Sequence, residues 1–167
     1  MKRIIVVGGW HNVDKRYASL PWDVEKKIKI TAKELQSRIK GKTIILCAPV
    51  FFDQEIAKAI ALECLNSVVI EEDALRWNYE AHDDDKRREL IESYRGDTDN
   101  LIVVADCKTA THIAWQFFKD FAIDNYSHIF FLGTAQVCDI NLEESVYAFS
   151  EYNQKEDGFV LPVPIEG

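Results

Sequence analysis

The sequence predicts an α/β protein, a three-layer sandwich with a mostly parallel central sheet. Ile4-Ile5-Val6-Val7, Ile44-Ile45-Leu46-Cys47 and Leu101-Ile102-Val103-Val104-Ala105 are short, largely β-branched runs without polar alternation. That pattern marks strands buried on both faces. The segments between them are longer and carry apolar residues at helical spacing. Strands alternating with helices build parallel sheets covered on both sides.

The first strand spans residues 2–7 and leaves through Gly8-Gly9-Trp10-His11-Asn12. Open α/β sheets gather their sites beyond strand C-terminal ends, so this turn is the first place to look for chemistry. Residues 11–29 are polar and interrupted by Pro21, and read as an irregular excursion with a short helix from Trp22. Thr31-Ala32-Lys33-Glu34 has the form of a capping box. It would open a helix with Ala32, Leu35 and Ile39 on one face, ended by Gly41. A second strand follows at 43–47, broken by Pro49. Asp53 is expected to cap a helix carrying Ile56, Ile60 and Cys64 at i, i+4, i+8. A third strand is expected at 67–70, then an acidic loop over 71–85 with Trp77 and Tyr79. Asp83-Asp84-Asp85 suits the start of a helix running through Lys86-Arg87-Arg88 to residue 94. A fourth strand at 101–105 leads to a helix over 109–121 with Ile113, Phe117 and Phe121 on one face. Further strands are expected at 128–132 and 145–149. Residues 1–153 read as a single α/β domain, and 154–167, with Pro162 and Pro164, as an extended C-terminal arm.

The chain has 167 residues and a net charge of -8, with 47% hydrophobic and 29% charged residues. Such acidity disfavours a general nucleic-acid binder, which needs a basic face, and equally an anionic membrane surface. Lys2-Arg3 precedes too short an apolar run for a signal peptide, and no run approaches the ~20 residues that span a bilayer. Cys47, Cys64, Cys107 and Cys138 are never spaced as C-x-x-C, which suits free thiols in a reducing cytoplasm. Asp83-Asp84-Asp85 lacks the spaced ligands of a calcium loop, so no metal is expected. Gly8-Gly9 is not a G-x-G-x-x-G fingerprint, and no cofactor is expected.

Several local patterns share one order. Ile4-Ile5-Val6-Val7 precedes a turn, and Ile30-Thr31 opens a helix. Cys47-Ala48-Pro49-Val50 precedes Gln54-Glu55-Ile56-Ala57, and 101–105 leads into Asp106. This order resembles the histidine phosphatase superfamily, with the phosphoglycerate-mutase-like fold, and looks closest to its short phosphohistidine-phosphatase-like members. In the family the corresponding stretches are a strand before Arg-His-Gly, a Leu-Thr helix start, Ser-Ser-Pro before a Gln-Glu-Thr-Ala helix, and a strand leading to a second catalytic His. The resemblance implies that the family's first Arg falls on Gly8 and its nucleophilic His on Gly9. Its second Arg falls on Phe51, its second His on Asp106 and its proton donor near Trp77. Glycine has no side chain to accept a phosphoryl group. Phe51 removes a bidentate donor. Asp106 places an anion near the phosphate, which costs about 4 kcal/mol at ~4 Å and an effective dielectric of ~20.

The candidate crevice therefore comprises Gly8, Gly9, Trp10, His11, Phe51, Trp77, Asp106, Cys107 and Lys108. Gly8-Gly9 reads either as an anion-binding nest of backbone N–H groups or as a turn needing positive φ. His11 is a displaced nucleophile or base, or a polar rim residue. Trp10, Phe51 and Trp77 would suit an apolar ligand or a partner's anchor. Cys107 is a nucleophile activated by Lys108, or a buried thiol beside an Asp106 that caps a helix. The expectation is a catalytically inactive protein of this fold whose crevice binds a protein partner or small-molecule ligand. The alternative is a phosphoesterase or hydrolase of altered chemistry using His11, Asp106 or Cys107. If the alignment holds, Gly8→Arg, Gly9→His, Phe51→Arg and Asp106→His together would rebuild a phosphate cradle.

Overall fold

The computed structural model describes residues 1–9, 22–76, 84–118, 132–143, 146–153, 158–160 and 165–166. The apolar runs form β1 (Arg3–Gly8), β2 (Thr43–Cys47), β3 (Ser67–Glu71) and β4 (Asn100–Ala105). They are followed by β5 (Val137–Asn141), β6 (Val146–Asn153), β7 (Gly158–Val160) and β8 (Ile165–Glu166). The sheet order is β3-β2-β4-β1-β5-β6-β7, with β8 also pairing β6. β3, β2, β4 and β1 run parallel, and β5 adds to β1 antiparallel. The segment expected as an extended arm over 154–167 contributes β7 and β8, both hydrogen-bonded to β6.

Among the described residues four α-helices cover the sheet: α1 (Trp22–Arg38), α2 (Phe51–Glu63), α3 (Asp84–Ser93) and α4 (Cys107–Phe118). Side chains alternate across each strand, and the core divides accordingly. Ile5, Val7, Ile45, Ile102 and Val104 pack against Val24, Ile28 and Leu35 of α1 and Ile56 and Ile60 of α2. Ile4, Val6, Leu46, Leu101 and Val103 pack against Ile91 of α3 and Ile113 and Phe117 of α4. Each such side chain contributes roughly 1.5–3 kcal/mol on full burial. A parallel strand needs helices on both faces because it has apolar side chains on both.

Two expectations are corrected. Thr31-Ala32-Lys33-Glu34 does not open a helix, because α1 begins nine residues earlier, at Trp22. Val24, Ile28, Ala32 and Leu35 form one continuous buried stripe through that point. Thr31 is an interior residue whose buried hydroxyl donates to Ala135 O at 3.1 Å. The strand expected at 128–132 lies outside the described residues up to residue 131, and Leu132 is not in a strand. On the side away from β4, β1 pairs with β5, which carries Asp139 inside its apolar run. That carboxylate is buried but lies 3.8 Å from Arg3 Nε and 3.9 Å from Arg38 Nη1. The two guanidinium groups make a charge tolerable in a core strand, and the sequence pattern alone does not reveal them.

Candidate functional site

β1, β2 and β4 end side by side. Gly8 is paired with Ala105, and Val104 with both Val7 and Cys47. The chain segments after these ends, starting at Gly9, Ala48 and Asp106, therefore meet at one edge of the sheet. This brings together the parts of the expected crevice that lie among the described residues: Gly8, Gly9, Phe51, Asp106, Cys107 and Lys108. Trp10, His11 and Trp77 lie outside them.

The two glycines are enclosed by main chain. Gly8 N–H donates to Gln136 O at 2.9 Å, and Gly8 O accepts from Ala135 N–H at 2.8 Å. Gly9 N–H donates to Ala105 O at 2.5 Å. Both N–H groups are consumed, so the first of the two readings, an anion-binding nest, is not met. Nor does either residue have positive φ: among the described glycines only Gly41 does. Their requirement is space. A Cβ on Gly8 would strike Gly133 O, and one on Gly9 would strike the Asp53 carboxylate and stand 2.7 Å from Ala105 O. The rebuilt cradle with Arg at 8 and His at 9 therefore has no room for its first two side chains.

Asp53 is a site residue that sequence reasoning placed elsewhere. It is the third residue of α2, whose N-cap is Val50 with no side-chain cap. Its side chain is buried and turned toward Gly9. The loop before β5 was also missed. Gly133 N–H donates to Gln136 Oε1 at 2.7 Å, and Thr134 Oγ1 lies 3.8 Å from Cys107 Sγ. No local motif announces these residues, because only the β1–β5 pairing brings them here.

Asp106 closes the N-terminus of α4. Its Oδ1 accepts from the backbone N–H groups of Lys108 (3.0 Å) and Thr109 (3.2 Å), and its Oδ2 from Thr109 Oγ1 at 2.5 Å. Such a cap satisfies donors that would otherwise attract an anion. Cys107 is buried, and its thiol donates to Gly9 O at 3.2 Å. Burial pushes that thiol up to about 11, with the Asp106 and Asp53 charges adding to it and the Thr134 contact opposing. A thiol there stays protonated near neutrality, which removes the proposed thiolate nucleophile. Lys108 is exposed beside it. Arg76 reaches the β2–α2 turn, donating to Pro49 O at 3.3 Å and pairing with Asp73 at 3.5 Å.

The rim of this edge is apolar. α2 follows β2, which ends here, and starts directly after Ala48-Pro49-Val50. Its start presents Val50 at 38% exposure and Phe51 at 44%. Phe51 meets Phe52 edge-on, with centroids 5.3 Å apart. Among the described residues, no three His, Cys, Asp or Glu side chains are grouped to hold a metal ion, and no helix is long and apolar enough to cross a membrane. Asp84 instead binds within the protein, to Arg87, Gln116 and His112.

A four-stranded parallel core continued by antiparallel strands, with helices on both faces, is the phosphoglycerate-mutase-like fold. Solved structures of histidine phosphatases and a phosphoglycerate mutase superimpose on nearly the whole chain. SixA from Agrobacterium tumefaciens, a candidate phosphohistidine phosphatase, matches at a TM-score of 0.60 with 9% identity, over 99% of this chain and 98% of that one. The protein histidine phosphatase SixA complexed with tungstate matches at 0.59 with 10% identity, over 98% and 96%. Phosphoglycerate mutase from Plasmodium falciparum matches at 0.54 with 16% identity, over 97% and 89%. No family model and no curated protein sequence matches the chain.

Proposed function

We propose that this chain is a catalytically inactive protein of the histidine-phosphatase fold, whose crevice binds a protein partner or small ligand through an apolar group. The observation that carries this reading is the packing at Gly8 and Gly9. The resemblance puts the family's Arg and nucleophilic His on these two positions, and here main chain and Asp53 occupy the space those side chains would need. The neighbouring chemistry supports it. Asp106 spends its carboxylate on a helix cap, and Cys107 is a buried, protonated thiol. Positions 9, 106 and 107 thus supply no nucleophile for a covalent phosphoryl transfer.

The same edge favours one kind of occupant. Asp53 and Asp106 make it inhospitable to an anion, while Val50 and Phe51 offer exposed apolar surface beside it. The expected occupant carries an apolar or aromatic group and is neutral or cationic. Incubation with p-nitrophenyl phosphate and with a phosphohistidine peptide tests the reading, alongside calorimetric titration with phosphate and with tungstate, the oxyanion present in one structural neighbour. The expected result is hydrolysis at the buffer rate and no binding heat. Turnover that Asp106→Asn abolishes would overturn the proposal in favour of altered catalysis at this crevice.

A further inference from the structure

We propose that β3 is the contact of a two-fold dimer, in which a second copy of this chain adds its own β3 antiparallel and joins the two sheets. Among the described strands, β3 pairs only with β2 and forms one edge of the sheet. Natural edges are blunted by proline, by lysine, by bulges or by a covering element. Ser67-Val68-Val69-Ile70-Glu71 has none of the first two and pairs with β2 in unbroken register. Its apolar side chains stay exposed, with Val68 at 55% and Val69 at 36%. Leu62 and Leu65, on the approach to the strand, are 82% and 81% exposed. Leu62, Leu65 and Val68 are the three most exposed large aliphatic side chains among the described residues, and all belong to this edge or its lead-in.

The hydrogen-bonding parity of the strand selects the occupant. Asn66 O accepts from Thr43 N–H at 3.1 Å, and Glu72 N–H donates to Cys47 O at 2.9 Å. Backbone groups point to alternate sides along a strand, so Asn66, Val68, Ile70 and Glu72 face β2. Ser67, Val69 and Glu71 direct theirs outward. An antiparallel copy centred on Val69 pairs these three residues with each other and no others: Val69 with Val69, and Ser67 with Glu71 at both ends. Each is a hydrogen-bonded pair that exchanges both bonds. The strand is thus its own complement.

Charge selects the same arrangement. A parallel copy would set Glu71, Glu72 and Asp73 against their own images. The antiparallel copy sets Glu71, which accepts from Gln54 at 2.8 Å, against the uncharged Ser67 and holds the two Glu71 carboxylates about 13 Å apart, beyond a Debye length of about 8 Å. Val69 then meets its own image on the sheet face shared with α2.

Sedimentation velocity over a dilution series, on wild type and two variants, tests the proposal. Val69→Lys brings two ammonium groups together on the axis. Val69→Pro deletes an outward N–H that β2 does not use, a place where an edge strand tolerates proline. Wild type is expected to sediment as a dimer, and either variant to weaken the dimer roughly 30-fold or more while keeping the wild-type circular dichroism spectrum. Should both variants unfold, Val69→Cys decides: a hydrogen-bonded pair sets the Cα atoms about 5.5 Å apart, within disulfide reach, so mild oxidation should yield a covalent dimer. A wild type that stays monomeric throughout, even if it captures a foreign strand, overturns the proposal. So does a dimer that both folded variants leave intact, or a folded Val69→Cys protein that does not cross-link.

Discussion

Gly9→Ala is the most direct probe of the crevice. The substitution adds one methyl group, and Gly9 lacks the positive φ that would strain any side chain. Its cost must therefore be steric. The new Cβ would overlap the Asp53 carboxylate and approach Ala105 O to 2.7 Å and Ala105 C to 3.0 Å. The carboxylate is a side-chain end and can swing away, at the expense of its buried position. Ala105 O cannot move freely, since it accepts the Gly9 N–H and lies at the end of a fully buried strand. Overpacking of this kind costs typically 1–3 kcal/mol, and one fixed carbonyl together with a buried carboxylate that must be displaced points to the upper half of that range. For a chain of this size the loss corresponds to roughly 4–12 °C in melting temperature. Urea unfolding of wild type, Gly9→Ala, Asp53→Ala and the double variant gives the full cycle. Removing the carboxylate should relieve part of the penalty, leaving a coupling of about 1 kcal/mol, with the remainder set by Ala105. A Gly9→Ala protein within about 0.5 kcal/mol of wild type would refute the close packing. An undiminished penalty in the Asp53→Ala background would refute the role given to Asp53.

Two further outcomes are expected. Cys107 lies about two units above its ordinary value of 9.0, so iodoacetamide at neutral pH should find about 100-fold less thiolate than at a free cysteine; peptide mapping in which Cys107 is alkylated first in the folded protein would contradict this. Asp139 is raised above its ordinary 3.8 by burial, against the pull of Arg3 and Arg38, so the folded protein holds this proton more tightly than the unfolded chain, and its contribution to stability is fully present below 3.8 and lost as pH rises through the folded value. Wild type should therefore lose stability relative to Asp139→Asn as pH is raised from 3 to 7, and denaturant melts showing the opposite slope would mean the two arginines outweigh burial.

Much of the fold was legible because parallel strands advertise themselves. β1, β2 and β4 are apolar on both faces and stood out as unbroken runs. β5 was missed for a definable reason, since Asp139 interrupts its run and becomes acceptable only through Arg3 and Arg38, remote in sequence. The capping pattern at Thr31 misled because the same four residue types also suit the interior of a long amphipathic helix. At the site, Gly8 and Gly9 marked the right place for the wrong physical reason: a side chain is excluded by tertiary neighbours, which no local pattern encodes. Asp106 was readable as a cap because capping is local. Asp53 was misread as one, because its true neighbour is Gly9 on another strand. The apolar rim was half visible, with Phe51 anticipated and Val50 not.

The position of β1 carries a consequence for the order in which the protein can be made. It lies in the interior of the sheet, yet its partners are distant in sequence: Arg3 pairs with Asn100 on one side and Asn141 on the other. A ribosome adding about 5–20 residues per second must work for several seconds after releasing β1 before β4 exists, and longer before β5 does. β2 and β3 emerge earlier and can pair with each other, but β4, the strand that joins them to β1, comes late. During that interval Ile4-Ile5-Val6-Val7 is an apolar segment with two unsatisfied edges, the kind of stretch that chaperones hold and that aggregates when they do not. Slow, late closure around the first strand is thus written into the topology, and truncations ending before residue 100 leave that strand with nowhere to go.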